Sequence, residues 1–310
     1  MRVFVAGATG VIGRRLVPLL IADGHQVTGM IRSPQRIDAL RATGAEPAIA
    51  DALDARAVRS AVSDARPDAV IHELTSLPQR IDPRKMERDF AINDRLRSEG
   101  TRHLVAAAQA VGATRIIAQS IAFAYAPGPP GTVHGERDPS FLQAPRPFRR
   151  SVEALRDLDS AVLGAGGLVL RYGYFYGPGS AISLGGSIVQ DIARRRLPIV
   201  GGGGGVWSFI HVDDAARATV AALTRGGSGA YNIVDDEPAR VSDWLPALAA
   251  AIGAPQPLRV PAFIARLAAG SYGVATMTEA QGASNELARR ELGFSPEHPI
   301  WREGFRTALS

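Results

Sequence analysis

The sequence predicts an α/β protein in which helices flank a doubly wound, mostly parallel sheet, with a smaller C-terminal substrate-binding region. Three observations carry this prediction. Short apolar runs alternate with helical patterns of about 10–15 residues, which is typical of strand–helix–strand units. A glycine-rich turn joins the first apolar run to the first helical pattern. The chain has 310 residues, 46% of them hydrophobic and 21% charged, as in average globular domains.

The elements of the first half follow one another without a linker. Each predicted strand is a short apolar run, and each predicted helix has apolar residues at helical spacing. The predicted strands are residues 2–6, 26–31, 47–50, 69–74, 115–119 and 167–170. The predicted helices between them are residues 11–23, 35–43, 55–63, 85–111 and 149–163.

The stretch 7–13, with the sequence GATGVIG, lies between the first strand and the first helix. Its small residues allow a pyrophosphate to approach the backbone, and the helix start offers free N–H groups. In this context the pattern predicts a dinucleotide site of the Rossmann type, and tight packing without a ligand is the alternative. The cofactor-binding residues expected here are Gly7, Thr9, Gly10, Val11, Ile12 and Gly13.

After residue 171 the alternation loosens, because proline and glycine interrupt shorter elements. Helical patterns remain near residues 182–196, 213–224, 241–252 and 284–292. We therefore expect residues 1–171 to form the dinucleotide-binding core. Residues 172–310 are expected to form mainly the substrate-binding region, with some segments returning to the core.

The end of the second strand bears on the choice of cofactor. NAD-preferring enzymes place an acidic residue there to bind the ribose 2′-hydroxyl. Here Ile31 occupies that position and Arg32 follows it. An arginine fork suits a 2′-phosphate, so NADP(H) is favoured over NAD(H), with an ordinary surface role of Arg32 as the alternative.

Composition excludes several classes of function. The chain has no cysteine, which excludes a disulfide scaffold, a thiolate nucleophile and a cysteine-ligated metal, and no metal site is expected. Lys85 is the only lysine. The net charge of +5 is modest, and the dense basic stretches 146–150 and 194–196 are interpreted as solvated faces, so no nucleic-acid partner is expected. Without a signal peptide or an apolar spanning segment, we expect a cytoplasmic protein with no membrane partner.

Several stretches together resemble the extended short-chain dehydrogenases/reductases, the NAD-dependent epimerase/dehydratase family, over nearly the whole chain. They are the glycine loop, Asp51, residues 70–72, Asn93, and residues 170–172, 176–178, 209–214, 231–233 and 292–296. The resemblance implies that Asp51 and Ala52 lie at the adenine. It also implies that Leu74, Thr75 and Ser76 line the middle of the cofactor, and that Tyr172, Gly173 and Tyr174 lie near the nicotinamide and the substrate.

The chemistry of that family is where this sequence departs. The family uses a serine after strand five and a Tyr-x-x-x-Lys pair in the next helix. Here Phe148 and Val152 stand in the tyrosine and lysine positions, and Ile121 stands in the serine position. Because phenylalanine has no proton to give, an acid or base must come from elsewhere. Ser120 and Tyr125 are the first candidates, followed by Tyr174, His134, Glu136 and Glu73, with Arg149 or Arg150 as a source of positive charge.

A second departure concerns the substrate. Nucleotide-sugar members of the family have a diphosphate-binding arginine where this chain has Trp207. An indole offers apolar stacking area, so a non-nucleotide-sugar substrate of apolar or aromatic character is expected, and simple core packing of Trp207 is the alternative. The substrate-binding residues expected are Phe123, Tyr174 and Trp207, with Tyr272 and Met277 nearby.

The sequence thus favours an NADP(H)-dependent oxidoreductase or epimerase/dehydratase-like enzyme acting on a small molecule. A non-redox isomerase or cyclase on the same fold, and a non-catalytic NADP(H) sensor, remain alternatives because the Tyr–Lys pair is absent. Glu73, an acid in a buried strand, is expected either to touch cofactor or substrate or to form a structural salt bridge. The family resemblance also makes a homodimer through residues 96–111 an expectation, with packing of this helix on the sheet alone as the alternative.

Overall fold

The computed structural model describes residues 1–82, 84–129 and 131–309. Its strands are β1 (Arg2–Ala6), β2 (Gln26–Ile31), β3 (Glu46–Ile49), β4 (Ala69–His72), β5 (Arg115–Ile121), β6 (Val133–His134), β7 (Leu168–Tyr172), β8 (Tyr174–Tyr176), β9 (Ile199–Val200), β10 (Val206–Trp207), β11 (Phe209–His211), β12 (Gly229–Ile233), β13 (Ala239–Arg240), β14 (Arg259–Val260) and β15 (Gly282–Ala283).

Besides the α-helices, the chain has a 3₁₀ turn at Pro34–Arg36 and a π-helical segment at Leu96–Gly100. They are α1 (Gly13–Ala22), α2 (Ile37–Arg41), α3 (Ala55–Ala65), α4 (Met86–Asp89), α5 (Ala91–Arg95), α6 (Thr101–Ala110), α7 (Arg146–Gly164), α8 (Ser187–Ala193), α9 (Val212–Ala221), α10 (Val241–Ala251), α11 (Ala262–Thr278), α12 (Glu286–Leu292) and α13 (Trp301–Ala308).

A parallel sheet of 7 strands in the order β12-β7-β5-β4-β1-β2-β3 forms the centre of the molecule. Helices α1 and α9 cover one face, and α3, α6 and α7 cover the other. Strand order reverses between β1 and β4, and ligands of such sheets bind outside the carboxyl ends of the strands at this point. The predicted Rossmann-type α/β fold class is therefore confirmed.

Segments of the second half of the chain complete this core. Strand β12 pairs with β7 in parallel register, from Gly229 opposite Leu168 to Ile233 opposite Tyr172. Helix α9 packs against α1. Helices α8, α10, α11 and α13 enclose a separate apolar core around Trp207, Trp244 and Trp301. None of the helices in the described ranges is long and apolar enough to span a membrane.

The helix predicted over residues 85–111 is helical from Met86 to Ala110, but it is not one regular α-helix. The chain there forms α4, α5, the π-helical segment and α6 in succession. Leu96 and Leu104, on the two sides of the π-helical turn, are buried against the same face of the sheet. The apolar spacing therefore continues through this turn, and the sequence pattern does not reveal it. Since this face packs within the chain, the homodimer stays a prediction.

Two helices that the sequence analysis did not predict lie in the C-terminal region. Helix α11 is rich in alanine and glycine, so it has little contrast between apolar and polar faces, and it is kinked at Gly270 (φ 68°, ψ −177°). Helix α13 is short and buries Trp301 and Phe305. Helix α11 matters for the site, because it forms one wall of the cleft described below.

Candidate functional site

The glycine loop between β1 and α1 is closed tightly onto the end of β4. Gly7 has φ +97°, and a Cβ atom there would lie 2.6 Å from the carbonyl oxygen of Glu73. A Cβ atom on Gly13 would lie 2.2 Å from the carbonyl oxygen of Gly7. No side chain caps the start of α1, and its first turn holds no acidic residue. The loop therefore presents bare backbone and a positive helix end at the switch point of the sheet.

The residues expected at the adenosine end lie at the carboxyl ends of β2 and β3. Arg32 is exposed and forms no hydrogen bond or ion pair within residues 1–82, 84–129 and 131–309. The carboxylate of Asp51 accepts the N–H of Leu53 at 2.9 Å and remains on the surface. The buried Ala52 offers its carbonyl oxygen to Nδ1 of His103 at 2.8 Å.

The segment after β4 is fixed by buried polar contacts. Nδ1 of His72 accepts the N–H of Leu74 at 3.2 Å, and its Nε2 lies 3.0 Å from Oγ1 of Thr101. Burial lowers the pKa of His72 to about 4, so the imidazole is neutral near pH 7 and donates through Nε2. Ser76 donates its N–H to Oδ1 of Asn93 at 3.1 Å. Two of the three residues expected to line the middle of the cofactor, Leu74 and Ser76, thus have their backbone N–H groups bound by side chains.

Glu73 lies in the core beneath the glycine loop rather than in a salt bridge. Its Oε1 is 3.0 Å from the hydroxyl of Tyr172, which is also 2.6 Å from Oγ1 of Thr219. Thr219 donates to the carbonyl oxygen of Ala215 at 2.8 Å, and Oε2 of Glu73 has no partner among the described residues. Burial raises the pKa of Glu73 to about 8. The Tyr172 hydroxyl donates to Oε1 of Glu73, so the carboxyl group is held in the core by a hydrogen bond that it accepts.

Ser120 in β5 and Tyr125 in the loop that follows it line the same small cavity, but their hydroxyls have different surroundings. The Tyr125 hydroxyl donates to Oδ1 of Asn232 at 2.7 Å and accepts from Nη1 of Arg171 at 2.9 Å. Burial raises the pKa of Tyr125. Ser120 is buried, and its hydroxyl makes no hydrogen bond in the described part of the chain. The catalytic assignment of these two residues stays a prediction. Before it could donate to a substrate, the Tyr125 hydroxyl would have to give up its hydrogen bond to Asn232.

The other candidates in the loop after β5 connect it to the C-terminal region. Nδ1 of His134 lies 2.8 Å from Asp138, and its Nε2 lies 2.9 Å from Gln281. Glu136 accepts the backbone N–H of Asn232 through Oε1 at 2.8 Å, and burial raises its pKa. Both side chains thus hold the loop against β12 and β15.

Aromatic rings line a cleft between the loop after β5, the first turn of α7, β8 and α11; we call it the aromatic cleft. Phe123 stacks on Tyr174 at 4.1 Å between ring centroids, and Phe148 contacts Tyr272 at 4.5 Å. The residues of its wall are Phe123, Tyr125, Pro127, Phe141, Phe148, Tyr174, Tyr272, Ala275, Thr276, Glu279, Ala280 and Gln281.

Trp207 supports this cleft from behind. Its ring stacks on Tyr174 at 3.9 Å, and its Nε1 donates to the carbonyl oxygen of Thr276 at 3.0 Å. The side chain is buried, and Trp207 belongs to the apolar core of the C-terminal region. Of the three residues expected to bind substrate, Phe123 and Tyr174 line the cleft, and Trp207 fixes the ring of Tyr174.

Phe148 and Val152, at the family's acid and lysine positions, are apolar in their surroundings as well as in their side chains. Phe148 is 3% exposed and Val152 is 1% exposed, and both pack with Met86 and Phe90. The aromatic cleft therefore has a phenyl ring at the position where the family resemblance leads us to expect a phenol hydroxyl.

The chain belongs to the NAD-dependent epimerase/dehydratase family, whose model matches residues 3–234. This confirms the family resemblance. A protein of Streptomyces sp. described as "3-diazoavenalumate denitrifying reductase" is 48% identical over 310 residues, which cover 98% of this chain and 99% of that protein.

More distant relatives and solved structures agree with this placement. A ketoreductase of Stigmatella aurantiaca, described as acting on a farnesyl dihydroquinoline oxide, is 25% identical over 79% of this chain and 71% of its own length. The crystal structure of UDP-glucose 4-epimerase from Thermotoga maritima superimposes with a TM-score of 0.76 at 21% identity, covering 99% of this chain and 97% of that one. At this identity the likeness to the epimerase shows the fold alone.

The chain is therefore an oxidoreductase- or epimerase-like enzyme of a family that uses a nicotinamide dinucleotide. The residues present fit that cofactor. The glycine loop has no room for a Cβ at Gly7 or Gly13, and the uncapped start of α1 is suited to a pyrophosphate. Asp51 and Arg32 lie at the ends of the neighbouring strands, where the adenosine half of such a cofactor is expected.

Proposed function

We propose that the protein is an NADP(H)-dependent reductase that replaces the dinitrogen of an aryl diazonium ion with hydride. The observation that carries the proposal is the place of Phe148: a buried phenyl ring lines the cleft where the family has its proton donor. The 48% identical relative, described as a denitrifying reductase of a diazo compound, supports the same chemistry.

This reaction needs no acid from the protein. The nicotinamide, when bound, supplies a hydride. The C–N bond breaks and its electron pair leaves with neutral dinitrogen, while the electron pair of the hydride forms the new C–H bond. In the reduction of a carbonyl group, by contrast, negative charge develops on oxygen and requires a donor. Apolar side chains at positions 148 and 152 are therefore compatible with this reaction and unfavourable for a ketone.

The aromatic cleft suits the cationic substrate. Aromatic faces carry a partial negative charge and attract cations, and stacked rings accept a planar aryl group. Phe123 and Tyr174 present such faces, and Trp207 holds Tyr174 in place. Trp207 also leaves no arginine for a diphosphate, so we expect no turnover of a nucleotide sugar.

The test uses a carboxy-substituted benzenediazonium salt, NADPH deuterated at the transferred position, and the purified protein. We expect one dinitrogen and one deuterated arene for each NADPH consumed, at a rate above that of the mixture without protein. An arene without deuterium would overturn the proposal. Conversion without consumption of NADPH would support the isomerase or cyclase alternative, and binding without turnover would support a sensor.

The preference for NADP(H) is proposed to depend on Arg32. Arg32→Ala removes a charge-assisted contact to the 2′-phosphate, which is worth about 1.5–3 kcal/mol or roughly 10–100-fold in affinity. We expect this loss for NADPH and no change for NADH, measured by fluorescence titration. Arg36→Ala, a change of an exposed arginine four positions on, is the matched control. Equal weakening of both cofactors by Arg32→Ala would contradict the assignment.

Reduction of a ketone is the second candidate, favoured by the ketoreductase among the relatives and by the placement of Tyr125 and Ser120 at the end of β5. Tyr125→Phe separates the two candidates. The variant keeps the ring that stacks on His134 at 4.9 Å and loses only the hydroxyl. For a ketone we expect turnover to fall by about 10²-fold, the usual size of a proton-transfer contribution, and for a diazonium ion we expect a change of less than about threefold. Ser120→Ala, assayed on the same substrates, tests the second hydroxyl.

A further inference from the structure

Arg97, on the π-helical segment, is a nearly buried charge whose guanidinium no acceptor in the described ranges binds. Its residue is 5% exposed, yet its side chain forms no hydrogen bond or salt bridge in residues 1–82, 84–129 and 131–309. Burial lowers its pKa to about 10, which still leaves it charged at neutral pH. A nearly buried guanidinium is costly unless acceptors satisfy it, so the donors of Arg97 are available to an anionic group.

Arg97 lies on the π-helical segment that packs against α7. Asp94 on α5, Asp159 on α7 and Tyr272 on α11 are the groups near enough to influence its charge. Tyr272 is part of the wall of the cleft. Arg97 therefore lies near the wall of the cleft that Tyr272 forms.

The nearby carboxylates do not account for Arg97 as a structural ion pair. Asp159 is bound by Nη2 of Arg171 at 2.6 Å, and Asp94 accepts the hydroxyl of Ser151 at 3.1 Å. The remaining oxygen of each carboxylate also lacks a partner among the described residues. Asp94 and Asp159 therefore lower the electrostatic cost of the guanidinium without satisfying its donors.

We propose that Arg97, together with the hydroxyl of Tyr272, binds an anionic oxygen of the aromatic substrate, a carboxylate or a phenolate. A guanidinium fork and a phenol O–H are both donors, and a fork matches two oxygens of one carboxylate. For the aryl diazonium ion, an identity that rests on the proposed function, such an anchor fixes which ring carbon faces the cofactor.

Binding of unreactive aromatic acids tests the proposal. Naphthoate and naphthamide differ in the anionic oxygen and share the ring system. Isothermal titration of the NADP⁺-saturated protein should show Arg97→Met weakening naphthoate by about 10-fold or more and naphthamide by less than about twofold. Arg97→Lys, which keeps the charge and loses the fork, should give an intermediate affinity for naphthoate. Equal weakening of both probes overturns the proposal. Weaker binding of NADP⁺ itself would assign Arg97 to the cofactor and also overturn it.

Thermal unfolding separates ligand binding from a structural role. Removing an unpartnered buried charge should leave the Tm of Arg97→Met unchanged or raised. Arg171→Met is the matched control, because Arg171 is paired with Asp159 and Tyr125, and this variant should melt at a lower temperature. If Arg97→Met loses as much stability as Arg171→Met, Arg97 is structural and the proposal fails.

The outcome is independent of hydride transfer, because neither probe carries a diazonium group. Arg97-dependent binding of naphthoate without any reduction of diazonium salts would retain the anion site and overturn the proposed function. Reduction of diazonium salts together with naphthoate binding that does not depend on Arg97 would retain the proposed function and overturn the anion site.

Discussion

Replacing Gly13 by alanine should abolish cofactor binding and lower the stability of the fold. The new Cβ atom would lie 2.2 Å from the carbonyl oxygen of Gly7 and 2.6 Å from the carbonyl group of Ala8. All of these are backbone atoms, so no side chain can rotate away, and the loop must open. Overpacking of this kind costs about 1–3 kcal/mol or more. We expect a lower Tm and a loss of NADPH affinity of at least about 10²-fold, because the loop is the proposed pyrophosphate site.

Gly164→Ala is the matched control for Gly13→Ala. Gly164 also lies at an end of a helix, but a Cβ atom there meets nothing within 4 Å. Because alanine favours a helix over glycine, this variant should have unchanged or slightly higher stability and normal cofactor binding. NADPH affinity within about threefold of the wild type for Gly13→Ala would show that the loop does not hold the cofactor.

The sheet and the glycine loop could be predicted from the sequence because their signals are local. Residues 2–6 and 26–31 are apolar runs bounded by turn residues, and they form β1 and β2 with the predicted bounds. The glycines at positions 7 and 13 are needed for close backbone contacts within the same strand–turn–helix unit. A pattern that depends on neighbours in the chain is visible without the rest of the fold.

The features that escaped prediction depend on contacts between distant segments. Arg97 is one of 34 arginines, and nothing in its neighbourhood along the chain distinguishes it from a surface residue. Its burial follows from the π-helical turn and from packing against α7, which joins residues about 50 positions apart. Helix α11 was not predicted because its faces differ little in polarity, and such a helix gives no periodic signal in the sequence.

Glu73 shows both the reach and the limit of sequence reasoning. An acid in a buried strand predicted an unusual environment, and the structure places its carboxyl group in the core. The partners, Tyr172 and Thr219, come from β7 and α9, and no local pattern names them. The sequence therefore identified the residue but not its state of protonation.

Glu73→Gln should flatten the fall of stability with rising pH. The pKa of Glu73 is about 8 in the folded protein against an ordinary value of 4.5, so the folded state binds the proton more tightly than the unfolded state. Between those two values the unfolded chain ionises first, and the free energy of unfolding falls by up to about 1.4 kcal/mol for each pH unit. Below pH 4.5 and above about pH 8 this contribution is constant. Glutamine keeps an acceptor for Tyr172 and cannot ionise, so its contribution to the slope is absent.

The measurement is urea unfolding of wild type and variant at intervals from pH 5 to pH 9, with the difference in free energy of unfolding plotted against pH. Taking the difference removes the opposite trend of His72, whose pKa is lowered to about 4 and which therefore adds stability as pH rises toward its ordinary value of 6.5. We expect the variant to gain on the wild type steadily up to about pH 8, at which the gain levels off. Glu279→Gln, a change of an exposed carboxylate to the same amide, is the matched control. A flat difference for Glu73→Gln would contradict the raised pKa of Glu73 and would mean that this side chain is ionised in the folded protein over the whole range.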